Sequence, residues 1–119
     1  MVSKDTEGLI KRFRDCPYFL NGFVLSGKKN VCLLFVGEDI PTLEAIVNEH
    51  IRPLDEVESV EFNIVISTAK KLIAPVRMHI EQVEKPPCGI EIECRNCPIF
   101  KAQRCLGCPA IGQYRGSFW

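Results

Sequence analysis

The chain has 119 residues, 46% of them hydrophobic and 25% charged, which supplies a buried core and argues against a disordered chain. Fifteen Lys and Arg balance fifteen Asp and Glu, so no net field gathers nucleic acid, and no stretch reads as a helix-turn-helix. No apolar run approaches the ~20 residues that cross a bilayer and Met1–Asp5 lacks the apolar core of an export signal, so a cytoplasmic chain with no membrane insertion is expected.

The first predicted element is a helix from about Asp5 to Asp15, with Leu9, Ile10 and Phe13 on one stripe, Ser3 or Asp5 as its cap and Pro17 as its stop. Two strands follow, near Tyr18–Ser26 and Asn30–Gly37, joined at Gly27-Lys28-Lys29 as a hairpin. The continuous run Val31–Val36 reads as an inner strand covered on both faces. A second helix is capped by Asp39, takes Pro41 in its first turn and carries Leu43, Ile46, Val47, His50 and Ile51 on one face. Arg52-Pro53 ends it. Val60, Phe62, Ile64 and Ile66 then alternate in a strand near Ser59–Thr68, and a last strand is expected near Val76–Val83. The order αββαββ predicts an α+β domain with two helices on one face of an antiparallel sheet.

At Lys85-Pro86-Pro87 the composition changes, dividing the chain into residues 1–85 and a cysteine-rich tail, 86–119. Five of the seven cysteines lie between Cys88 and Cys108, and in a reducing compartment clustered thiols hold metal more often than disulfides. Cys94-x-x-Cys97 and Cys105-x-x-Cys108 form two hooks, each presenting two thiolates to one ion in the closed tetrahedral arrangement of structural zinc. A [4Fe-4S] cluster is the alternative, although the three-cysteine ferredoxin spacing is missing. Gly107 allows a tight turn within the second hook. Cys88 is either a substitute ligand or a redox-active thiol beside the site. Cys16 and Cys32, alone in apolar surroundings, read as small core residues.

From Pro17 through Val24-Leu25-Ser26-Gly27, Val31–Val36, the Leu43–Ile51 helix with Arg52-Pro53-Leu54, and Val57 leading into Ile64-Val65-Ile66, the chain resembles the effector-binding domain of the Lrp/AsnC family. That domain is a ferredoxin-like βαββαβ unit, and the resemblance spans roughly residues 7–70. It implies a unit without the DNA-binding domain that precedes it in the regulators, an effector site at Ser26, Gly27 and Asn30, and a homodimer through the sheet domain. Asn30 stands where the family has an acidic residue, and Glu56 stands at its corner glycine. The family's central first strand has no evident counterpart before the Asp5–Asp15 helix, so the Val76–Val83 strand is expected to fill that slot in a circularly permuted sheet, or a partner's strand to do so. The tail is similar to the Cys-rich tails of small prokaryotic, chiefly archaeal, proteins.

No Ser/His/Asp set, paired catalytic carboxylates or phosphate-cradling loop is present, so no enzymatic activity is expected. The aromatic terminus offers Tyr114, Arg115, Phe118 and Trp119 for packing on the chain's own core or for docking a partner. Three functions fit these observations. The first is a regulatory or adaptor protein that binds a protein partner and responds to redox state through its Cys–metal site. The second is a stand-alone sensor of an amino acid or similar metabolite. The third is an iron–sulfur electron carrier.

Overall fold

The computed structural model describes residues 1–72, 80–89 and 94–119. Strand β1 (Val2–Ser3) leads into helix α1 (Thr6–Phe13), strands β2 (Phe19–Val24) and β3 (Val31–Phe35), helix α2 (Ile40–Ala45) and strand β4 (Val57–Ser59). In the tail, two single turns of 3₁₀ helix, Cys94–Asn96 and Pro109–Ile111, flank helix α3 (Pro98–Lys101).

Of the two candidate caps for α1 it is Asp5 that serves, its carboxylate accepting from the Gly8 amide at 3.0 Å. Asp39 caps α2 in the same way, accepting from the Thr42 amide at 2.9 Å, with proline in the first turn. Beyond Ala45 the helix widens into a π-type turn, Ile46–Ile51, closed by the Arg52 amide on the Val47 carbonyl. Both helices present the expected apolar stripes. Leu9 and Phe13 meet Ile46, Val47, Ile51, Val31 and Tyr18 in one buried cluster, and the Phe13 ring stands edge-on to Phe35 at 5.6 Å.

The slot before α1 is occupied. β1 pairs antiparallel with β4, Val2 opposite Ser59, and the Lys4 amide extends the ladder to the Glu56 carbonyl. The other edge of β1 faces β3: the Met1 carbonyl accepts from the Asn30 and Val31 amides, and the Asn30 side chain both donates to the Ser3 carbonyl and accepts from the Ser3 amide. Ser3 stands opposite Val57, so the β1–β4 register shifts between Val2 and Ser3. Among the described residues the order is β1α1β2β3α2β4 where αββαββ was expected, and β1 stands at the place left open before α1. β1 escaped the sequence reading because two residues carry no period. Of the strand expected near Val76–Val83, residues 76–79 lie outside the described residues, while Gln82 and Val83 bond the Pro109 and Ala110 carbonyls.

Two further expectations change. The strand placed near Ser59–Thr68 ends at Ser59, because two-residue β1 provides no ladder beyond it; Val60 and Phe62 still pack on the core, while Ile64, Val65 and Ile66 are exposed. Cys32 is exposed, not a core residue. It lies on β3 next to buried Val31, and strand alternation turns it to the uncovered face of the sheet.

Candidate functional site

Six of the seven cysteines line one cavity of about 110 Å³: Cys16, Cys88, Cys94, Cys97, Cys105 and Cys108. Its walls come from both halves of the chain. The α1–β2 connection contributes Cys16 and Tyr18, the π-type turn contributes Glu49 and His50, and the tail supplies the remaining thiols together with Phe100 and Gly107.

Local geometry prepares these sulfurs to carry negative charge. The Cys108 amide donates to Cys94 Sγ at 3.2 Å. The Gly107 amide lowers the Cys105 thiol and the Ala110 and Ile111 amides lower that of Cys108, each against the larger effect of burial. Such N–H···S bonds favour thiolate and are the usual outer partners of thiolate ligands. Gly107 makes the second hook possible with φ +94°, where a Cβ would run into the Gln113 carbonyl and the Phe100 ring.

Burial works the other way. It pushes the Cys16 thiol up to about 12, helped by Cys88, and the Cys108 thiol up to about 11; Cys94 and Cys105 are also raised, first by burial. These thiols therefore stay protonated near neutrality unless a cation compensates them. His50 is held down, to about 4, by burial and then by the Arg12 guanidinium, so it is neutral, and its Nδ1 lies 3.5 Å from Cys88 Sγ. The Arg12 side chain reaches Gly89, and its buried Nε has no hydrogen-bond partner among the described residues. Among the described residues no three His, Cys, Asp or Glu side chains already stand in metal-holding geometry.

The tail is tied down beside the cavity. Tyr18 donates to the Gly107 carbonyl at 2.5 Å, and the Leu106 amide donates to Thr42 Oγ1 at 2.9 Å. Trp119 stands edge-on to Tyr18 at 5.2 Å and to Tyr114 at 5.4 Å. Glu38 accepts from the Tyr114 hydroxyl and the Ser117 amide. Arg115 lies 3.8 Å over the Phe100 ring and donates to the Phe100 and Cys105 carbonyls. Three of the four terminal residues singled out for docking, Tyr114, Arg115 and Trp119, thus bind their own chain, and Phe118 packs on Trp119 while staying partly exposed.

Ser26, Gly27 and Asn30 line neither this cavity nor the one beneath β3, and Asn30 spends its amide on β1. The cavity beneath β3, about 340 Å³, lies between β3, the α2 region and residues 60–65, with a mainly apolar lining that includes Leu33, Phe35, Val47 and Phe62 but also Glu61 and Asn63. Sequence reasoning missed Cys16 as a site residue; the signal was the shared Cys-Pro pair in Cys16-Pro17, Cys97-Pro98 and Cys108-Pro109.

The strand–helix order and the hairpin agree with one family model, the Lrp/AsnC ligand binding domain, which matches residues 2–74. The chain belongs to this family. The match begins at β1, supporting Val2–Ser3 as the family's first strand, and ends before the cysteine-rich tail. No curated protein and no solved structure matches the chain. The Lrp/AsnC domain is a regulatory, ligand-binding unit of ferredoxin-like fold, and no helix among the described residues is long and apolar enough to cross a membrane.

Proposed function

We propose that this Lrp/AsnC-type chain is a non-enzymatic regulatory protein of the cytoplasm in which the family domain is coupled to a thiolate-bound zinc ion, and that it relays the state of that centre to a protein partner. The observation that carries this reading is the convergence of six thiols, from both the domain and the tail, on one cavity. The two hooks, Cys94/Cys97 and Cys105/Cys108, are the ligands expected from sequence. Zinc bonds thiolate at ~2.3 Å and binds only after protons leave, so it supplies the cation that buried thiols require. Arg115 beside Cys105 suits an anionic metal–thiolate centre.

Oxidation gives the centre a response. Peroxide converts two thiols to a disulfide and is itself reduced to two waters, which removes two ligands from the ion. Purification without oxygen followed by metal analysis tests the reading. Stoichiometric zinc in a colourless protein is expected, a brown iron- and sulfide-containing protein moves the centre to [4Fe-4S], and a compact, metal-free reduced protein overturns it.

A metabolite sensor is the second reading, favoured by the 340 Å³ apolar cavity. Its lining suits an apolar molecule better than a zwitterionic amino acid, since Glu61 at its rim is already paired with Lys29 at 2.6 Å. Calorimetry against amino acids and apolar carboxylic acids separates the two readings. Heat from a metabolite titrated into metal-free protein places the sensor first.

A further inference from the structure

The β4 ladder stops at Ser59, and residues 60–65 run on past it. With β3 and the α2 region they enclose the cavity of about 340 Å³, a volume in the usual range of small-molecule sites. Its apolar body is built by Leu33, Phe35, Val47, Ile51 and Phe62. Among the described residues that line it, the only polar side chains are Glu61 and Asn63, two positions apart on one segment. The described lining therefore carries one carboxylate and no cationic side chain. Glu61 is held below the ordinary carboxylate range, first by Lys29, then by Asn63 and least by the Met1 ammonium, so it is ionised at neutrality. Its partner Lys29 does not line the cavity; it reaches Glu61 from outside, Nζ to Oε2 at 2.6 Å, with its side chain 65% exposed. A pair so exposed is held weakly, and the Lys29 ammonium is hydrated when it lets go.

We propose that this cavity binds a small apolar amine, its carbon chain inside and its ammonium on Glu61 in place of Lys29. This rests on the metabolite-sensor reading and deepens it by naming the ligand class; the thiols of the tail take no part. Burial of the chain in the apolar cavity supplies the affinity, and the carboxylate at the mouth selects the head group. A carboxylic acid would set its own charge against Glu61, with no cationic side chain in the described lining to offset it. An apolar amino acid brings the fitting ammonium together with the same unfitting carboxylate. An alcohol fills the apolar part and leaves the Lys29–Glu61 pair as it is. The chemistry that suits the site is an apolar amino acid without its carboxylate.

Calorimetry on the intact, reduced chain tests this with probes of equal carbon number that differ in head group: hexylamine, 1-hexanol, hexanoate and norleucine. Hexylamine is expected to bind roughly tenfold more tightly than any of the others. Glu61→Gln should cost hexylamine about that factor and leave 1-hexanol unchanged, whereas Lys29→Met, which removes the competing ammonium, should tighten hexylamine several-fold. Both side chains are more than half exposed, so neither variant should disturb folding. Nuclear Overhauser contacts from the hexylamine methyl group to the Phe35 and Phe62 rings are expected to place the chain in the cavity. Hexanoate or norleucine binding as tightly as hexylamine overturns the inference and leaves the sensor reading standing. Equal hexylamine affinity in Glu61→Gln and wild type, or contacts to residues outside the cavity, also overturn it. No heat from any probe overturns the inference and the sensor reading together, and leaves the metal centre, read separately by metal analysis, as proposed.

Discussion

Asn30 carries an amide that both donates and accepts, and its position opposite Ser3 uses both capacities. An aspartate, the residue type the family resemblance implies there, accepts from the Ser3 amide but faces the Ser3 carbonyl with a second acceptor. Asn30→Asp and Asn30→Ala are therefore expected to lower stability by about 1–3 kcal/mol, read as a lower urea midpoint, with no change in metal content. Gly107 is held at a backbone angle closed to side chains, and Gly107→Ala should cost about 1–3 kcal/mol and reduce metal retention as well. His50 sets a pH dependence in the metal-free protein. Its folded-state value, about 4, lies below the ordinary 6.5, so the unfolded chain binds the proton more readily. The associated stability is fully present above about 6.5 and is lost as pH falls toward 4, with a slope of at most ~1.4 kcal/mol per pH unit. His50→Gln should flatten that limb of the stability–pH curve.

Residues 60–66 alternate like a strand, yet the ladder stops at Ser59 because β1 is two residues long. Ile66 is 90% exposed, an unusual position for a β-branched side chain within such a pattern. Lrp/AsnC domains commonly dimerise, and a second copy is the partner we propose for this segment. Light scattering is expected to give the mass of a dimer, and Ile66→Lys to shift it toward the monomer with unchanged far-UV circular dichroism. A wild-type monomer would remove this assignment. The helices behave differently: caps at Asp5 and Asp39 and stripes through Leu9, Phe13, Ile46, Val47 and Ile51 were all legible, since cap chemistry and a 3.6-residue period are local properties.

The tail and the family domain share one apolar cluster, into which Cys88, Tyr114 and Trp119 all pack. Trp119→Ala removes three ring contacts from a half-buried side chain and should cost about 2–3 kcal/mol, less than a fully buried tryptophan, read as a lower melting temperature. Tyr18→Phe keeps the ring and removes the bond to Gly107, so about 1–2 kcal/mol is expected, together with faster proteolysis of the tail.

Periodicity, capping residues and paired Cys-x-x-Cys hooks determined the helices, the β2–β3 hairpin and the concentration of thiols in the tail, because each is written within a few neighbouring residues. Only the tertiary structure decided that β1 exists, that Cys32 faces outward, that Asn30 joins strands and that Cys16 shares a cavity with the tail. Three of those facts depend on pairings between residues far apart in the chain: 3 with 30, 2 with 59, 18 with 107. A local pattern can show that a thiol or an amide is present, but its partner is set by how the distant segments pack.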